Sequence, residues 1–457
     1  MGWKYGAAAA AAVLLLALAI GGGGQAGAQN LGAAPLSPVT VHSLPARMAA
    51  VAPPAVTFDP VKATNAYLAR VSGAARQRSD SYFEGGYALI LVDALWSIAV
   101  SALLLWGGIS ASMRNVAQRL TRSRFLQAPI YVLMFVPLVA VLTLPLSVYE
   151  GFFREHAYGL SNQSLPQWFG DFGIAFCVQL VIFVIALTLI YAVIRATPRL
   201  WWAWGTLVVI VLFAIVATVQ PVFISPLFNH YQPLAESPLK EKILALAKAN
   251  GIPADNVYEF DASRQSKRIS ANVSGLFGTT RISLNDNLIN RSTPREILAV
   301  LGHEMGHYVL SHVVIGLTWF GLVILVAFMF LNWGFRALVG VFGGNWDVRS
   351  IDDPAGLPVL MGLLAVFLLL ATPVTNTITR TLEAQADIFG LNAARQPDGF
   401  ALATLQLSEY RKLDPTPLEE FVFYDHPSGR TRIWTAMRWK AWHIDDCDIK
   451  AGPVSPQ

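Results

Sequence analysis

Long runs of apolar residues constrain this chain more than any other feature of its sequence. Of the 457 residues, 54% are apolar and only 14% are charged, whereas soluble globular proteins carry about 25% charged residues. A helix needs about 20 consecutive apolar residues to cross a bilayer, and several runs here reach that length. The sequence therefore excludes an ordinary soluble enzyme and a disordered protein, and it predicts a polytopic helical membrane protein.

Six segments are predicted to span the membrane: 87–109, 127–148, 173–194, 203–224, 309–331 and 357–377. The N-terminus adds a basic Lys4, an apolar run over 7–20 and the site Ala26-Gly27-Ala28. This is the pattern of a cleaved signal peptide. A retained, weak first span is the alternative for residues 1–28. Residues 29–86 are predicted to form an N-terminal segment before the first strong span.

Two long stretches, 225–308 and 378–457, have mixed charges and lack the membrane pattern. We expect them to pack together as one soluble domain. The four helices of 87–224 precede that domain in the sequence, and the helical hairpin of 309–377 joins its two parts.

Charge and cysteine content exclude further classes of protein. The formal net charge of +4 is too small to indicate a nucleic-acid partner, which usually requires a strongly basic surface. The two cysteines, Cys177 and Cys447, are too few for a disulfide framework or for a cysteine zinc site.

The strongest chemical signal is the sequence His-Glu-Met-Gly-His at residues 303–307. On a helix, His303 and His307 are one turn apart and face the same way, so both imidazoles can bind one zinc ion. Glu304 is then placed as a general base rather than as a ligand. A short pattern of this kind also occurs by chance, so its setting decides the interpretation.

The residues before the motif predict a helix around it. Thr293 is a candidate N-cap, Pro294 suits the first helical position, and Glu296 completes a capping box. The helix is predicted to continue directly into the 309–331 span. The metal site would then lie at the membrane boundary.

A third metal ligand is predicted at Glu383. It precedes Asp387 by four residues, so both side chains lie on one face of a helix. A catalytic zinc site has three protein ligands, and Asp387 is placed to orient a ligating histidine through its second ring nitrogen. An exposed acidic helix face is the alternative interpretation.

Another polar cluster begins with Asp425-His426-Pro427 and includes Arg432. Either His426 or Arg432 is a candidate to stabilise the oxyanion that forms when water attacks a carbonyl. The spacing alone favours the alternative interpretation, a proline turn that starts a C-terminal helix.

Residues 268–286 have the pattern of two strands joined by a turn at Gly278-Thr279-Thr280. The edge of such a hairpin can bind an extended peptide by strand addition. An ordinary structural hairpin is the alternative.

With these motifs together, the chain resembles the type I CAAX prenyl endopeptidases, the integral-membrane zinc metalloproteases named for the yeast a-factor-processing enzyme. The resemblance covers about residues 62–440. Beyond the zinc motifs, it rests on blocks at 154–164, 226–229, 266–268 and 425–427.

The resemblance implies a mainly α fold, in which seven spans form a helical barrel around a water-filled chamber and a zincin-like α+β domain caps one end. It implies one zinc ion on His303, His307 and Glu383, with Glu304 as base. Asp387, His426 and Arg432 are implied as supporting residues. At the substrate-binding strand the family has Asn-Ala-Tyr where this chain has Ser270-Ala271-Asn272, so Ser270 and Asn272 are both candidates to bind substrate.

These residues predict hydrolysis of a peptide or protein substrate, with Glu304 taking a proton from the attacking water. Two alternatives are a membrane quality-control zinc protease resembling the heat-shock-linked group, and a transporter or scaffold with a relic metal site. The signal-like N-terminus suggests a bacterial inner-membrane protein, for which a prenylated tail is not the expected natural substrate. Oligomeric state has no signature in the sequence.

Charged loops predict the orientation in the membrane. The 110–126 loop has four arginines and the 195–202 loop has two, both without an acidic residue. The positive-inside rule places these loops in the cytoplasm, and counting spans then places the catalytic segments outside. The family resemblance implies a cytosolic active site instead; we favour the charge evidence.

Overall fold

The computed structural model describes residues 58–274 and 280–449. The predicted signal peptide or first span over 1–28 lies outside these residues. The first part of the 29–86 segment and most of the predicted 278–280 turn also lie outside them.

The described chain is mainly helical, with one small sheet. In chain order the helices are α1 (Pro60–Leu68), α2 (Gly73–Trp106), α3 (Ile109–Leu120), α4 (Arg124–Val148), α5 (Leu165–Ala196), α6 (Trp201–Val219), α7 (Pro238–Ala249), α8 (Asp286–Arg291), α9 (Pro294–Val309), α10 (His312–Trp346), α11 (Leu357–Ala394), α12 (Pro397–Gln406), α13 (Pro417–Phe423) and α14 (Gly429–Trp442). The strands are β1 (Tyr231–Pro233), β2 (Val257–Phe260), β3 (Ala271–Ser274) and β4 (Arg281–Asn285).

Six helices in the described part of the chain are long and apolar enough to cross a membrane. They are α2, α4, α5, α6, α10 and α11, and each overlaps one predicted span. Two π-helical turns, Tyr149–Arg154 and Gln220–Ile224, extend α4 and α6. Hydropathy identifies the apolar part of a helix but does not locate its ends. The helices therefore extend beyond the predicted segments.

The ends of two spanning helices show this difference clearly. Helix α2 begins at Gly73 rather than near 87, because its polar first turns contact the soluble domain; Glu84, for example, binds Lys412 at 2.7 Å. Helix α11 passes without interruption through the predicted boundary at 377/378. The soluble domain is therefore built partly on extensions of the membrane helices.

The connection between α9 and α10 departs from the prediction of one continuous helix. Helix α9 ends at Val309, and Ser311 adopts a left-handed conformation with φ of 55° before α10 begins at His312. A left-handed conformation costs a residue other than glycine about 1–2 kcal/mol. This residue ends the first helix and redirects the chain into the second.

The sheet has the strand order β1-β2-β4-β3. Strands β3 and β4 pair antiparallel, with Ala271 opposite Leu284, so the predicted hairpin strands are confirmed. The parallel β2–β4 pair joins them to an antiparallel β1. Fully buried side chains from the sheet, such as Ile282, pack with Leu301 of α9. The sheet thereby supports the helix that carries the His-Glu-Met-Gly-His motif.

Helix α1 docks on the C-terminal part of the chain. The Tyr67 hydroxyl donates to Asp398 Oδ1 at 2.7 Å, and the buried Lys440 ammonium donates to the same carboxylate. Around this contact, Leu68 packs in a cluster with Ile433 of α14. The start of the described chain therefore lies on the same side of the membrane helices as the soluble domain.

The 154–164 block clamps the soluble domain to α2. Glu155 accepts a hydrogen bond from the Tyr82 hydroxyl at 2.5 Å and pairs with Arg268 at 2.8 Å. A β-bridge between Ser161 and Ser266 continues the contact. Because these partners lie on three separate segments, the clamp fixes the position of the soluble domain relative to the spans.

Candidate metal centre

Close packing of α9 against α11 brings the candidate metal ligands together. A Cβ atom on Gly302 would lie 2.9 Å from the Gly390 carbonyl oxygen, and one on Gly390 would lie 2.6 Å from the His303 backbone nitrogen. On Gly306 it would lie 3.1 Å from the Ala386 Cα. Glycine has no Cβ, so the two backbones can approach this closely.

Helix α9 begins as its sequence predicts. The Thr293 hydroxyl accepts from the Glu296 backbone, and the Glu296 side chain accepts from the Thr293 backbone, so the predicted capping box is confirmed. Such a cap contributes about 1 kcal/mol to a helix. The cap fixes the residue at which the helix that carries the motif begins.

The three predicted ligand atoms converge as a metal site requires. The Nε2 atoms of His303 and His307 are 3.1 Å apart, and Glu383 oxygens lie 3.2 Å from His303 Nε2 and 3.5 Å from His307 Nε2. Zinc–ligand bonds of about 2.0–2.1 Å in tetrahedral geometry put ligand atoms about 3.3 Å apart. Among the described residues, Glu383 Oε2 is buried without a well-formed hydrogen bond. The donor set therefore fits zinc.

The charge around His303 also favours a cation. Its Nδ1 contacts Asp387 Oδ1 at 2.7 Å, and Arg432 binds both oxygens of that carboxylate, at 2.5 and 2.9 Å. Burial opposes a charge on His303, but the hydrogen bonds to Asp387 and Glu383 outweigh it and raise the pKa of His303 to about 10. A divalent cation bound to Nε2 would be stabilised by the same negative charge of Asp387 and Glu383 that otherwise favours a proton on His303.

Glu304 follows His303 and is partly buried. Burial raises the pKa of its carboxyl group above the usual range, although the neighbouring His303 and His307 act in the opposite direction. A carboxylate with a raised pKa is a stronger base, which suits proton transfer.

His426 and Arg432 have different surroundings. His426 Nε2 lies 3.2 Å from Glu383 Oε2, and its Nδ1 lies 2.9 Å from Asp425 Oδ1, so its ring is at the ligand set. The guanidinium of Arg432 is buried and engaged with Asp387. Of the two predicted oxyanion stabilisers, His426 is the one whose side chain contacts the ligand set directly.

The two candidate substrate-binding residues lie on or beside the edge strand β3. The Ser270 carbonyl oxygen accepts from the Asn285 backbone at 2.9 Å, and its N–H donates to the Asn285 side chain. Asn272 pairs with Ser283 in β4. Backbone groups alternate along an antiparallel pair, so those of Ala271 and Val273 face away from β4.

Two residues at the centre were not predicted from the sequence. His312 Nδ1 is 3.0 Å from His307 Nδ1, and His312 Nε2 is 3.2 Å from Gln385 Oε1. His312 follows His307 by five residues, and helical spacing does not place such a pair on one face. Only the break at Ser311 brings it back.

The fold and the site together define an integral-membrane metallopeptidase of the H-E-x-x-H type. The chain belongs to peptidase family M48, whose family model matches residues 233–440. A second model, the CAAX prenyl protease N-terminal region with five membrane helices, matches residues 63–230. The resemblance read from the sequence motifs is confirmed.

Relatives agree with this assignment. An uncharacterized metalloprotease, YhfN of Bacillus subtilis, is 32% identical over 334 residues, which cover 72% of this chain and 78% of the relative. CAAX prenyl protease 1 of Saccharomyces cerevisiae is 31% identical over 65% of this chain and 69% of its own. The crystal structure of S. mikatae Ste24p superposes with a TM-score of 0.68 at 24% identity, covering 83% of this chain and 95% of that chain. The predicted fold class, a polytopic helical membrane protein with a small α+β domain, is confirmed.

Proposed function

We propose that this peptidase is a zinc metalloendopeptidase with one zinc ion on His303, His307 and Glu383 and with Glu304 as general base. The convergence of three ligand atoms from two crossing helices is the observation that carries the proposal. The family assignment, including its membrane region, favours this function over a scaffold with a relic site and over a protease of the heat-shock-linked type.

Each residue of the site has a chemical task. Zinc bound there would lower the pKa of water toward about 7 and polarise the scissile carbonyl. Glu304 accepts the proton of the attacking water and passes it to the leaving amine. Asp387 holds His303 in the tautomer that coordinates through Nε2, and Arg432 holds Asp387 in turn.

His426 acts on the oxyanion in this scheme. Its Nδ1 lies 2.9 Å from Asp425 Oδ1, a contact that holds the ring with Nε2 toward the ligand set. A hydrogen-bond donor in this position would stabilise the oxygen on which negative charge develops.

The proposed substrate is an extended peptide segment. Strand β3 hydrogen-bonds to one neighbour, β4, within the described sheet. A peptide can add to its other edge through the backbone groups of Ala271 and Val273. Ser270 and Asn272 alternate with Ala271 and Val273 along the chain, and their side chains would contact the substrate.

Metal removal tests the chemistry. We expect detergent-purified protein to cleave an unstructured peptide, to lose cleavage after dialysis against a zinc chelator, and to recover it with zinc but not with magnesium. Nitrogen ligands select zinc over magnesium, which prefers oxygen. Metal analysis of the dialysed sample is the control. Undiminished cleavage by protein shown to be free of metal would contradict the proposal.

We further propose that the metal centre faces the outside of a bacterial inner membrane. The structure gathers three loops at the membrane end opposite the metal: Arg114 of α3 binds Asp353, Arg124 binds Asp352, and Arg195 donates to the Arg124 carbonyl. Seven arginines belong to this end: Arg114, Arg119, Arg122, Arg124, Arg195, Arg199 and Arg349. The positive-inside rule counts basic residues in short loops, and it assigns this end to the cytoplasm.

Reporter fusions at the C-terminus of the full chain test the orientation. Ile449, the last described residue, packs in the cluster that also holds residues of α1 and α14, so it lies on the side of the soluble domain. We expect a fused alkaline phosphatase to be active and a fused green fluorescent protein to be dark. The reverse pair of results would place the metal centre in the cytoplasm.

A further inference from the structure

The surroundings of His307 differ from those of His303. A carboxylate, Asp387, holds the Nδ1 of His303, whereas the Nδ1 of His307 faces another imidazole, His312, at 3.0 Å. His312 is 4% exposed, and its second nitrogen lies 3.2 Å from the side-chain oxygen of Gln385. The two histidines of the motif are thus held by different chemical groups.

We propose that His312 and Gln385 form a neutral hydrogen-bond relay that holds His307 in its metal-binding tautomer. His307 directs Nε2 at the ligand set, and a neutral ring that coordinates through Nε2 carries its proton on Nδ1. That proton needs an acceptor, and His312 Nδ1 is the atom in place. This inference rests on the proposed zinc site.

The direction of the relay follows from its outer end. A side-chain amide oxygen only accepts hydrogen bonds, so Gln385 Oε1 requires the proton of His312 to be on Nε2. His312 Nδ1 then has a free lone pair and accepts from His307. Gln385 is exposed on α11, two residues after Glu383, so one helix supplies both a metal ligand and the end of the relay.

The break between α9 and α10 is what makes the relay possible. In a continuous helix residue 312 would point about 140° away from His307 around the axis. The left-handed Ser311, with φ of 55°, turns the chain so that the two rings meet edge to face with centroids 5.0 Å apart. The strained backbone of Ser311 therefore helps to build the site, because it brings His312 to His307.

His312 is a positioning residue in this account, so the test measures metal binding. Zinc affinity is measured by competition with a chelator, and the absorption spectrum of the cobalt-substituted protein reports the ligand field. We expect His312→Leu, which lacks the acceptor, to lose about 10–100-fold in zinc affinity, as outer partners of metal ligands do. His312→Asn, which offers an amide oxygen near the position of Nδ1, should recover most of that loss.

The outer end of the relay supplies a second, independent pair of variants. Gln385→Glu keeps an acceptor and should stay near wild-type affinity, whereas Gln385→Leu should weaken zinc binding by a smaller factor than His312→Leu. Because position 385 is exposed, this pair keeps the test decisive even if His312→Leu does not fold. Ser311→Gly, which adopts the left-handed conformation freely, should bind zinc like wild type.

Three results would overturn the relay. The first is wild-type zinc affinity in His312→Leu. The second is an equal loss of zinc affinity in His312→Leu and His312→Asn, which would indicate that the ring acts only through packing. The third is equal zinc affinity in Gln385→Glu and Gln385→Leu. Wild-type protein that fails to bind zinc would instead refute the zinc site itself, so the two failures are distinguishable.

Discussion

Glu304→Gln should bind about one zinc ion per chain yet lose at least about 10²–10⁴-fold in peptide cleavage. The amide has nearly the shape of the carboxylate but does not accept the proton of the attacking water. Glu304 does not supply any of the three converging ligand atoms, so the variant should still bind zinc. The measurement is cleavage of an unstructured peptide in detergent together with the zinc content of the same sample.

The matched control is Glu241→Gln. Glu241 is an exposed residue in the first turn of α7, in the same soluble domain, and its change should leave cleavage near wild type. Near-normal cleavage by Glu304→Gln would refute the general-base assignment. Zinc loss in that variant would instead indicate that Glu304 takes part in metal binding.

Gly302→Val should abolish high-affinity zinc binding and lower the free energy of unfolding. A Cβ atom there would lie 2.9 Å from the Gly390 carbonyl oxygen and 3.0 Å from the Ala394 Cβ. Neither is the far end of a flexible side chain, so α9 would have to move away from α11. The cost should exceed the roughly 1–3 kcal/mol of an ordinary overpacked core, and the separation would part His303 from Glu383. Thermal unfolding in detergent and chelator competition measure the two effects.

Gly340→Val is the matched control for the helix crossing. Gly340 lies inside α10, and a Cβ atom there would meet nothing within 4 Å. The same substitution should therefore leave zinc affinity and thermal unfolding near their wild-type values. If Gly302→Val also behaved like wild type, the close approach of α9 and α11 would be refuted.

The sequence by itself determined the class of fold and most of the chemistry. Apolar runs identify membrane helices because a helix that crosses the hydrocarbon core needs about 20 predominantly apolar residues. The His-Glu-Met-Gly-His motif and the capping box around Thr293 are local patterns, and local spacing on one helix suffices to align His303 with His307. The acidic pair Glu383 and Asp387, four residues apart, predicted Glu383 as the third ligand, and the structure places it beside both histidines.

Only the tertiary structure decided how these local elements meet. The crossing of α9 and α11 at Gly302 and Gly390 depends on contacts between residues far apart in the chain, which no periodicity records. The same holds for the engagement of Arg432 with Asp387 rather than with the ligand set. The sequence does not predict the contact between His312 and His307, because the position of His312 depends on one left-handed residue, Ser311. Helical spacing predicts which residues share a face of one helix, whereas packing between helices decides which faces meet.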